Sequence, residues 1–460
     1  MNPRVFREYD IRGVADRDLG DAVVRALGVA IGARAGNLGS EIAVGRDCRL
    51  TSPRLFEALI EGIRVHAAVV DLGVVPTPVL YFAAHHLGPA ASVMITGSHN
   101  PPQDNGFKLM IGTETMYGAA IAELRDETAA LMKTAIPSPR HPMRQYEVTG
   151  DYLDSAVSQL RLGPRRMKVV VDAGNGAGGP TAMALIRRLG FDAVPLYCDF
   201  DGRFPNHHPD PTQPENLADL IAEVARQGAE LGIALDGDAD RIGAVDATGR
   251  ILWGDQLMIL FGKAVLREVP AAKFVGEVKC SQTMYDELAK AGGHCEMWKV
   301  GHSLIKARMK QTGSALAGEM SGHMFFAHRW LGFDDGIYAA ARLLELLSRG
   351  EQTLADLAAE LPVTINTPEI RIDCPDDAKS RVVEHASARL RADPRVRSVV
   401  TIDGVRASFD GGWGLLRASN TQPALVMRCE ADTAERLAEI RATMERHLAD
   451  CGTVPRDVDG

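Results

Sequence analysis

The sequence predicts an α/β protein made of three diverged copies of one unit, followed by a smaller α+β unit. Three observations carry this expectation. Strand patterns alternate with helix patterns over most of the chain, a polar loop follows a strand end at three corresponding places, and roughly the last 100 residues change to short adjacent strands. The length agrees: 460 residues at roughly 100–200 per domain hold about three domains.

In the first unit, residues 41–44 and 67–72 read as strands around a helix at 53–66. A third strand, 91–95, ends in Thr96-Gly97-Ser98-His99-Asn100-Pro101. The second unit repeats the plan with strand 168–171, helix 181–189, strand 193–197 and strand 231–235. That last strand runs into Asp236-Gly237-Asp238-Ala239-Asp240-Arg241. The third has strand 274–278, helix 282–291 and strand 295–299, and 314–317 leads into Gly318-Glu319-Met320-Ser321-Gly322-His323. Ligands of open α/β sheets gather at the carboxyl ends of strands, so these three loops are candidates for one cleft. The tail differs. Strand-like 368–373, helix 377–390, short strands at 398–402, 405–409, 414–417 and 424–428, and a closing helix at 434–448 describe an antiparallel sheet with helices beside it. Pro137, Pro139 and Pro142 mark one boundary and Leu361-Pro362 another.

Composition narrows the function classes. Hydrophobic residues at 46% and charged residues at 24% argue against a disordered chain. Lys and Arg number 51 against 60 Asp and Glu, and the net −9 argues against general nucleic-acid or anionic-membrane binding. No run approaches the roughly 18 apolar residues of a membrane span. The first ten residues mix Arg with Glu and Asp, so no secretory signal is expected there. The seven cysteines are scattered, odd in number and without a C-x-x-C pair, which suits idle thiols in a reducing cytoplasm.

The loops carry the chemistry. Asp236, Asp238 and Asp240 at i, i+2 and i+4 repel one another unless a cation holds them, and oxygen-only ligands favour Mg²⁺ or Ca²⁺ over zinc. An EF-hand needs Gly at position 6 and Glu at position 12, where Arg241 and Ala247 stand; a solvated acidic turn is the bland alternative. Ser98 lies in a tight turn and is a weak nucleophile unless a base or a pre-installed phosphate activates it. Thr96 and Asn100 occupy the glycine positions of a G-x-S-x-G elbow, which excludes that motif. Gly174-Asn175-Gly176-Ala177-Gly178-Gly179 formally matches G-x-G-x-x-G, with Asp199 downstream as a dinucleotide fingerprint requires; a tight strand-to-helix turn is the plainer reading. Glu319, Ser321 and His323 suit a polyol. Arg417-Ala418-Ser419-Asn420-Thr421 offers a cation, hydroxyls and an amide to a phosphate. His207 and His208 with Asp210 could ligate a metal, but the prolines around them favour a rigid surface loop.

Taken together, these loops resemble the α-D-phosphohexomutase superfamily, and within it the bacterial phosphomannomutase/phosphoglucomutase enzymes. The resemblance runs through the whole chain in order. It begins at Phe6-Arg7-Glu8-Tyr9-Asp10-Ile11-Arg12-Gly13 and passes the Ser98 loop, residues 201–211, the Asp236 loop, Lys279 and Lys299-Val300-Gly301-His302-Ser303 to the Glu319 and Arg417 loops. It implies four domains around a central cleft, at 1–145 (phosphoserine loop), 146–246 (metal), 247–362 (sugar loop) and 363–460 (phosphate). It implies a phosphoserine at Ser98 and Mg²⁺ held by Asp236, Asp238 and Asp240 together with that phosphoryl group. Glu319 and Ser321 would hold sugar hydroxyls, and Arg417, Ser419, Asn420 and Thr421 the non-reacting phosphate. Tyr9, Arg12, Arg241, Lys279, Gly301, His302 and Ser303 would complete the cleft, with Arg241 offsetting charge on the moving phosphoryl group, and Lys108 and His323 are the candidates for the general base, with Arg12 nearby. Met320 fits the glucose/mannose branch rather than the glucosamine branch, where Gln is usual. The implied activity is interconversion of hexose 1- and 6-phosphates through a hexose 1,6-bisphosphate, by a cytoplasmic monomer. One departure stands out: Ala239 replaces a common Gly, and a positive φ there would cost roughly 1 kcal/mol without abolishing the metal site.

Three rivals leave more unexplained. A nicotinamide-dependent oxidoreductase using residues 174–179 leaves the Ser98, Asp236 and Arg417 loops idle. A non-catalytic sugar-phosphate-binding protein has no use for Ser98 beside three aspartates. A haloacid-dehalogenase-type phosphomutase would want Thr or Val where Asp240 stands.

Overall fold

The computed structural model describes residues 1–36, 41–419 and 423–449. Its first three sheets repeat one topology. In the first, strands Glu41–Arg46, Ala68–Val74, Ala91–Ile95 and Asp104–Ile111 lie in the spatial order second, first, third, fourth. The first three are parallel and the fourth runs antiparallel to the third. Strands Lys168–Asp172, Asp192–Leu196, Leu231–Leu235 and Ile242–Asp246 repeat this order and these directions. So do Lys273–Glu277, His294–Trp298, Leu316–Gly318 and Met324–Phe326. The three copies are therefore real. Each polar loop sits at the same topological point, the turn from third to fourth strand, at the carboxyl end of the third.

The parallel strands are continuous apolar runs because both their faces are covered; Val169, Val170 and Val171 are all fully buried. Helices cover them through one face. Helix Gly179–Arg188 buries Ala182, Met183, Leu185 and Ile186, and its first turn tolerates Pro180 because the amide there has no helical partner. The C-terminal sheet is antiparallel throughout: Ala424–Ala431 pairs with Ile365–Asn366, Ile370–Asp373 and Gly412–Ala418, and Val405–Phe409 and Ser398–Val400 follow. Helices Lys379–Ala392 and Ala434–Ala449 share a core with it through Val382, Leu390, Ile440 and Leu448. Among the described residues no helix is long and apolar enough to cross a membrane. The six described cysteines are free.

The fourth strand of each unit is absent from the sequence reading. Asp104–Ile111 shows why it matters. Period-two alternation turns Phe107 and Leu109 into one core of the first unit, while Lys108 and Met110 turn to the other face of the sheet, where Met110 joins the core shared with the later units. Lys108 is thereby carried to the aspartate loop 130 residues away.

Candidate active site

Ser98 sits on a positive-φ turn (+49°) and is 1% exposed. Its Oγ lies 2.8 Å from Asp236 Oδ2 and 3.1 Å from His99 Nδ1, and its N–H donates to Thr96 Oγ1 at 2.8 Å. The turn rests on Arg49, which no sequence pattern identifies. The buried guanidinium donates to the carbonyls of Ser98 (2.7 Å), Asn100 (2.6 Å), Pro101 (2.6 Å) and Asp104 (3.0 Å), and its Nε to Asp47 Oδ2 at 3.2 Å. Gly97 lies against it: a Cβ there would stand 2.5 Å from Arg49 Cζ.

Asp236, Asp238 and Asp240 are fully buried, with carboxylate oxygens within 4.8 Å of one another. Lys108 Nζ donates to Asp238 Oδ2 at 2.8 Å and also to Asp240 Oδ2. Burial, with the neighbouring Asp240 and Asp238, pushes the Asp236 carboxyl well above the ordinary carboxylate range. For Lys108 burial opposes the charge, yet Asp238 and Asp240 hold the ammonium above its ordinary value. Asp238 Oδ1 and Asp240 Oδ1 remain buried without a hydrogen-bond partner. Orphaned oxygens and mutual repulsion both fit an oxygen-preferring divalent cation on this triad.

Ala239 has φ +60° and is fully buried. Its methyl fills the space above Gly178, where a Cβ would come within 2.4 Å of Ala239 Cβ. The neighbouring glycines are closed off likewise: a Cβ at Gly176 would meet Gly237 O at 2.6 Å, and one at Gly179 would meet Cys198 O at 2.2 Å. The 174–179 turn thus packs on the aspartate loop, and protein atoms occupy the room a pyrophosphate needs. Gly178→Ala is expected to cost about 1–3 kcal/mol by overpacking. Adding Ala239→Gly should restore part of it, since that change opens the space and relieves the positive φ. Urea unfolding of both variants checks this; a double variant no more stable than Gly178→Ala refutes the pairing.

Most of the remaining expected residues meet in one cleft of about 1340 Å³. Arg12, on strand Ile11–Val14, donates to Asp10 Oδ2 at 2.6 Å and Asn100 Oδ1 at 3.0 Å. Arg241 Nε points at His323 Nε2 at 3.0 Å. An arginine only donates, so His323 Nε2 accepts and the ring proton sits on Nδ1, 3.4 Å from Asp334 Oδ2 and 3.5 Å from Asp240 Oδ1. Glu319 Oε1 accepts from the Gly301 N–H at 2.8 Å, which joins the third-unit loop to the start of helix His302–Thr312. Tyr9 packs edge-on against His302, and burial, then Asp10 and Glu319, push its phenol up to about 12. Ser321 lines the cleft, whereas Ser303 is buried behind it. Lys279 Nζ lies 2.7 Å from Glu369 Oε1. Arg417 ends the strand Gly412–Ala418 with Nε 3.1 Å from Asp403 Oδ2, and Asp403 also accepts the Val300 N–H at 3.0 Å. Ser419 lines the cleft; Asn420 and Thr421 lie outside the described residues. His207, by contrast, spends both ring nitrogens on Asp172 and on the His208 carbonyl.

Sequence reasoning misses Arg49, Glu277, Asp334, Glu369 and Asp403. Glu277 accepts the N–H groups of Lys279 (2.6 Å) and Met320 (3.2 Å), so it ties the sugar-loop candidate to the Lys279 turn; burial pushes its carboxyl up to about 7. Asp334 accepts from Lys306 at 2.8 Å. The available signal was the polar run Arg46-Asp47-Cys48-Arg49 after a strand, and it was not specific.

Comparisons with known proteins agree on one family. Models described as phosphoglucomutase/phosphomannomutase match in four pieces: alpha/beta/alpha domain I at residues 3–133, domain II at 150–249, domain III at 253–365 and the C-terminal domain at 369–447. A phosphomannomutase/phosphoglucomutase of Pseudomonas putida is 46% identical over 446 residues, covering 96% of this chain and 95% of its own length. A phosphoglucomutase of Neisseria gonorrhoeae is 43% identical, with 95% of both chains covered. A solved phosphoglucomutase/phosphomannomutase family protein from Burkholderia thailandensis superposes with a TM-score of 0.91 at 41% identity, over 99% of both chains.

Proposed function

Since this chain belongs to the phosphoglucomutase/phosphomannomutase family of mutase enzymes, we propose that it interconverts hexose 1-phosphate and hexose 6-phosphate, of glucose, mannose or both, through a phosphoserine at Ser98 and a bound hexose 1,6-bisphosphate. The observation that carries the reading is the meeting of Ser98 Oγ with the buried aspartate triad at the floor of a cation-lined cleft.

The phosphoryl group leaves Ser98 Oγ for the free hydroxyl of the bound hexose phosphate, the bisphosphate turns round, and its other phosphoryl group returns to Ser98. Such transfer is governed by positioning and charge. Asp236, Asp238 and Asp240 would hold Mg²⁺, which when bound supplies positive charge beside the transferring phosphoryl group. Arg12, paired with Asp10, is always charged and serves as a cation rather than a base, and Lys108 stands on the carboxylates of Asp238 and Asp240. In this reading His323 Nε2 takes the hydroxyl proton once the phosphoryl group draws Arg241 away from it. Glu319 and Ser321 receive sugar hydroxyls. Arg417 and Ser419, with Asn420 and Thr421, receive the phosphate that is not reacting. One such clamp serves both orientations of the intermediate. A reducing cytoplasm suits the free cysteines.

The test is twofold. Purified enzyme should convert glucose 1-phosphate or mannose 1-phosphate to the 6-phosphate in the presence of Mg²⁺ and catalytic bisphosphate, and EDTA should abolish the conversion reversibly. Incubation with bisphosphate should add roughly 80 Da to the intact mass, the weight of one phosphoryl group. No turnover of either sugar phosphate sinks the activity; turnover without the mass change sinks the phosphoserine.

A further inference from the structure

Lys279 and Glu369 meet across the boundary between the third unit and the C-terminal sheet. Lys279 follows strand Lys273–Glu277, and Glu369 precedes strand Ile370–Asp373. Their 2.7 Å contact spans the cleft wall, where the charges of Arg371 and Arg428 also act on Glu369. Lys279, against the opposing effect of burial, holds the Glu369 carboxyl down to about 2, so it is ionised at neutral pH. An ionised carboxylate on the wall of a cleft that receives a dianion repels the ligand. Here it also does for Lys279 what a phosphate oxygen would do, forming a charge-assisted bond of ordinary length with the ammonium.

Resting on the hexose-phosphate reading, we propose that Glu369 is an internal counter-anion that competes with the substrate phosphate for Lys279. With no ligand in the cleft it neutralises the ammonium and ties the C-terminal domain to the third unit. A phosphate, with its larger charge, takes the ammonium over, and Glu369 reclaims it as product leaves. Lys279 then has a close partner at every stage, beyond the more distant Glu277 Oε1 at 3.9 Å, which matters because a largely buried ammonium without a close partner is costly. The competition weakens ground-state binding of monophosphates and so favours release.

Glu369→Gln keeps the side-chain length and an acceptor while removing the charge. Glucose 1-phosphate binding is measured by calorimetry in the full chain carrying Ser98→Ala, so that no transfer occurs. Glu369→Gln should tighten binding about fivefold, the scale of one partly exposed ion pair. Glu369→Asp, which keeps the charge, should stay within about twofold of the parent. Unchanged or weaker binding in Glu369→Gln overturns the proposal, as does equal tightening in Glu369→Asp. A merely structural tie would weaken binding when broken, so the sign separates the two roles. Turnover with Ser98 intact tests the mutase reading separately: binding that tightens without turnover in the parent enzyme would keep this inference and remove the other.

Discussion

Replacing Ser98 by alanine is expected to lower kcat by at least about 10⁴-fold, the scale of losing a covalent nucleophile, while hexose phosphate still binds. The split follows from how the turn is held. Its conformation rests on Arg49, on Asp47 accepting the Gly97 N–H at 3.1 Å, and on Thr96 accepting the Ser98 N–H. None of these bonds uses Ser98 Oγ. Among the described residues Oγ hydrogen-bonds to Asp236 and His99, so removing it deletes the acceptor of the phosphoryl group and leaves the loop in place. Stability should change by less than about 1 kcal/mol, the net worth of one hydrogen bond. Steady-state kinetics, calorimetry with glucose 1-phosphate and intact mass after incubation with bisphosphate check the three parts. A Ser98→Ala enzyme with more than about one per cent of parental kcat would be incompatible with a nucleophile essential on this scale. Retained activity with no added mass would mean that the phosphoryl group travels without touching position 98.

The parts of this site that the sequence displays are those packed into a few consecutive residues. Asp236, Asp238 and Asp240 announce themselves because the whole donor set fits within five positions, and Ser98 does because its turn residues surround it. The three-fold repetition was legible for the same reason: each copy closes its third strand with a polar loop. Supporting groups lie beyond any local pattern. Thr77, which donates to Asp238, is 161 residues from it, and Asp403 reaches Val300 across 103. Strand Asp104–Ile111 was hidden because both its faces are buried: apolar Leu109, Met110 and Ile111 follow one another, and the single alternation Phe107-Lys108-Leu109 is too short to mark a strand. The formal G-x-G-x-x-G at 174–179 shows the opposite error. Its glycines answer to close approach by Gly237, Ala239 and Cys198 rather than to a ligand.

The acidic net charge also takes on a narrower meaning in the cleft. Arg12 is paired with Asp10, Lys108 with Asp238 and Asp240, Lys279 with Glu369 and Arg417 with Asp403. A dianion therefore enters a region where Arg12, Lys108, Lys279 and Arg417 are already paired. Binding is an exchange of partners, and the groups that position those cations matter as much as the cations themselves.

Arg49 is the position where this logic has its largest structural consequence. Arg49→Met should destabilise the protein by about 3–5 kcal/mol, the cost of breaking a buried pair, because Asp47 and the carbonyls of Ser98, Asn100, Pro101 and Asp104 all lose a donor. Arg49→Lys is the sharper probe. It keeps the charge beside Asp47, yet a single ammonium cannot span four carbonyls that a planar guanidinium reaches from its two terminal nitrogens. Ser98 would then sample positions off the line of transfer, and kcat should fall about 10²-fold, as small misplacements of a reacting group do. KM should hold within about twofold, because Arg49 lies beneath the loop and does not line the cleft. Initial-rate kinetics at saturating bisphosphate separate the two constants, and thermal unfolding reports the stability. An Arg49→Lys enzyme that is less stable but turns over at the parental rate would reduce Arg49 to a packing residue. One whose KM rises while kcat is unchanged would mean that the loop acts in binding rather than in presenting Ser98 to the phosphoryl group.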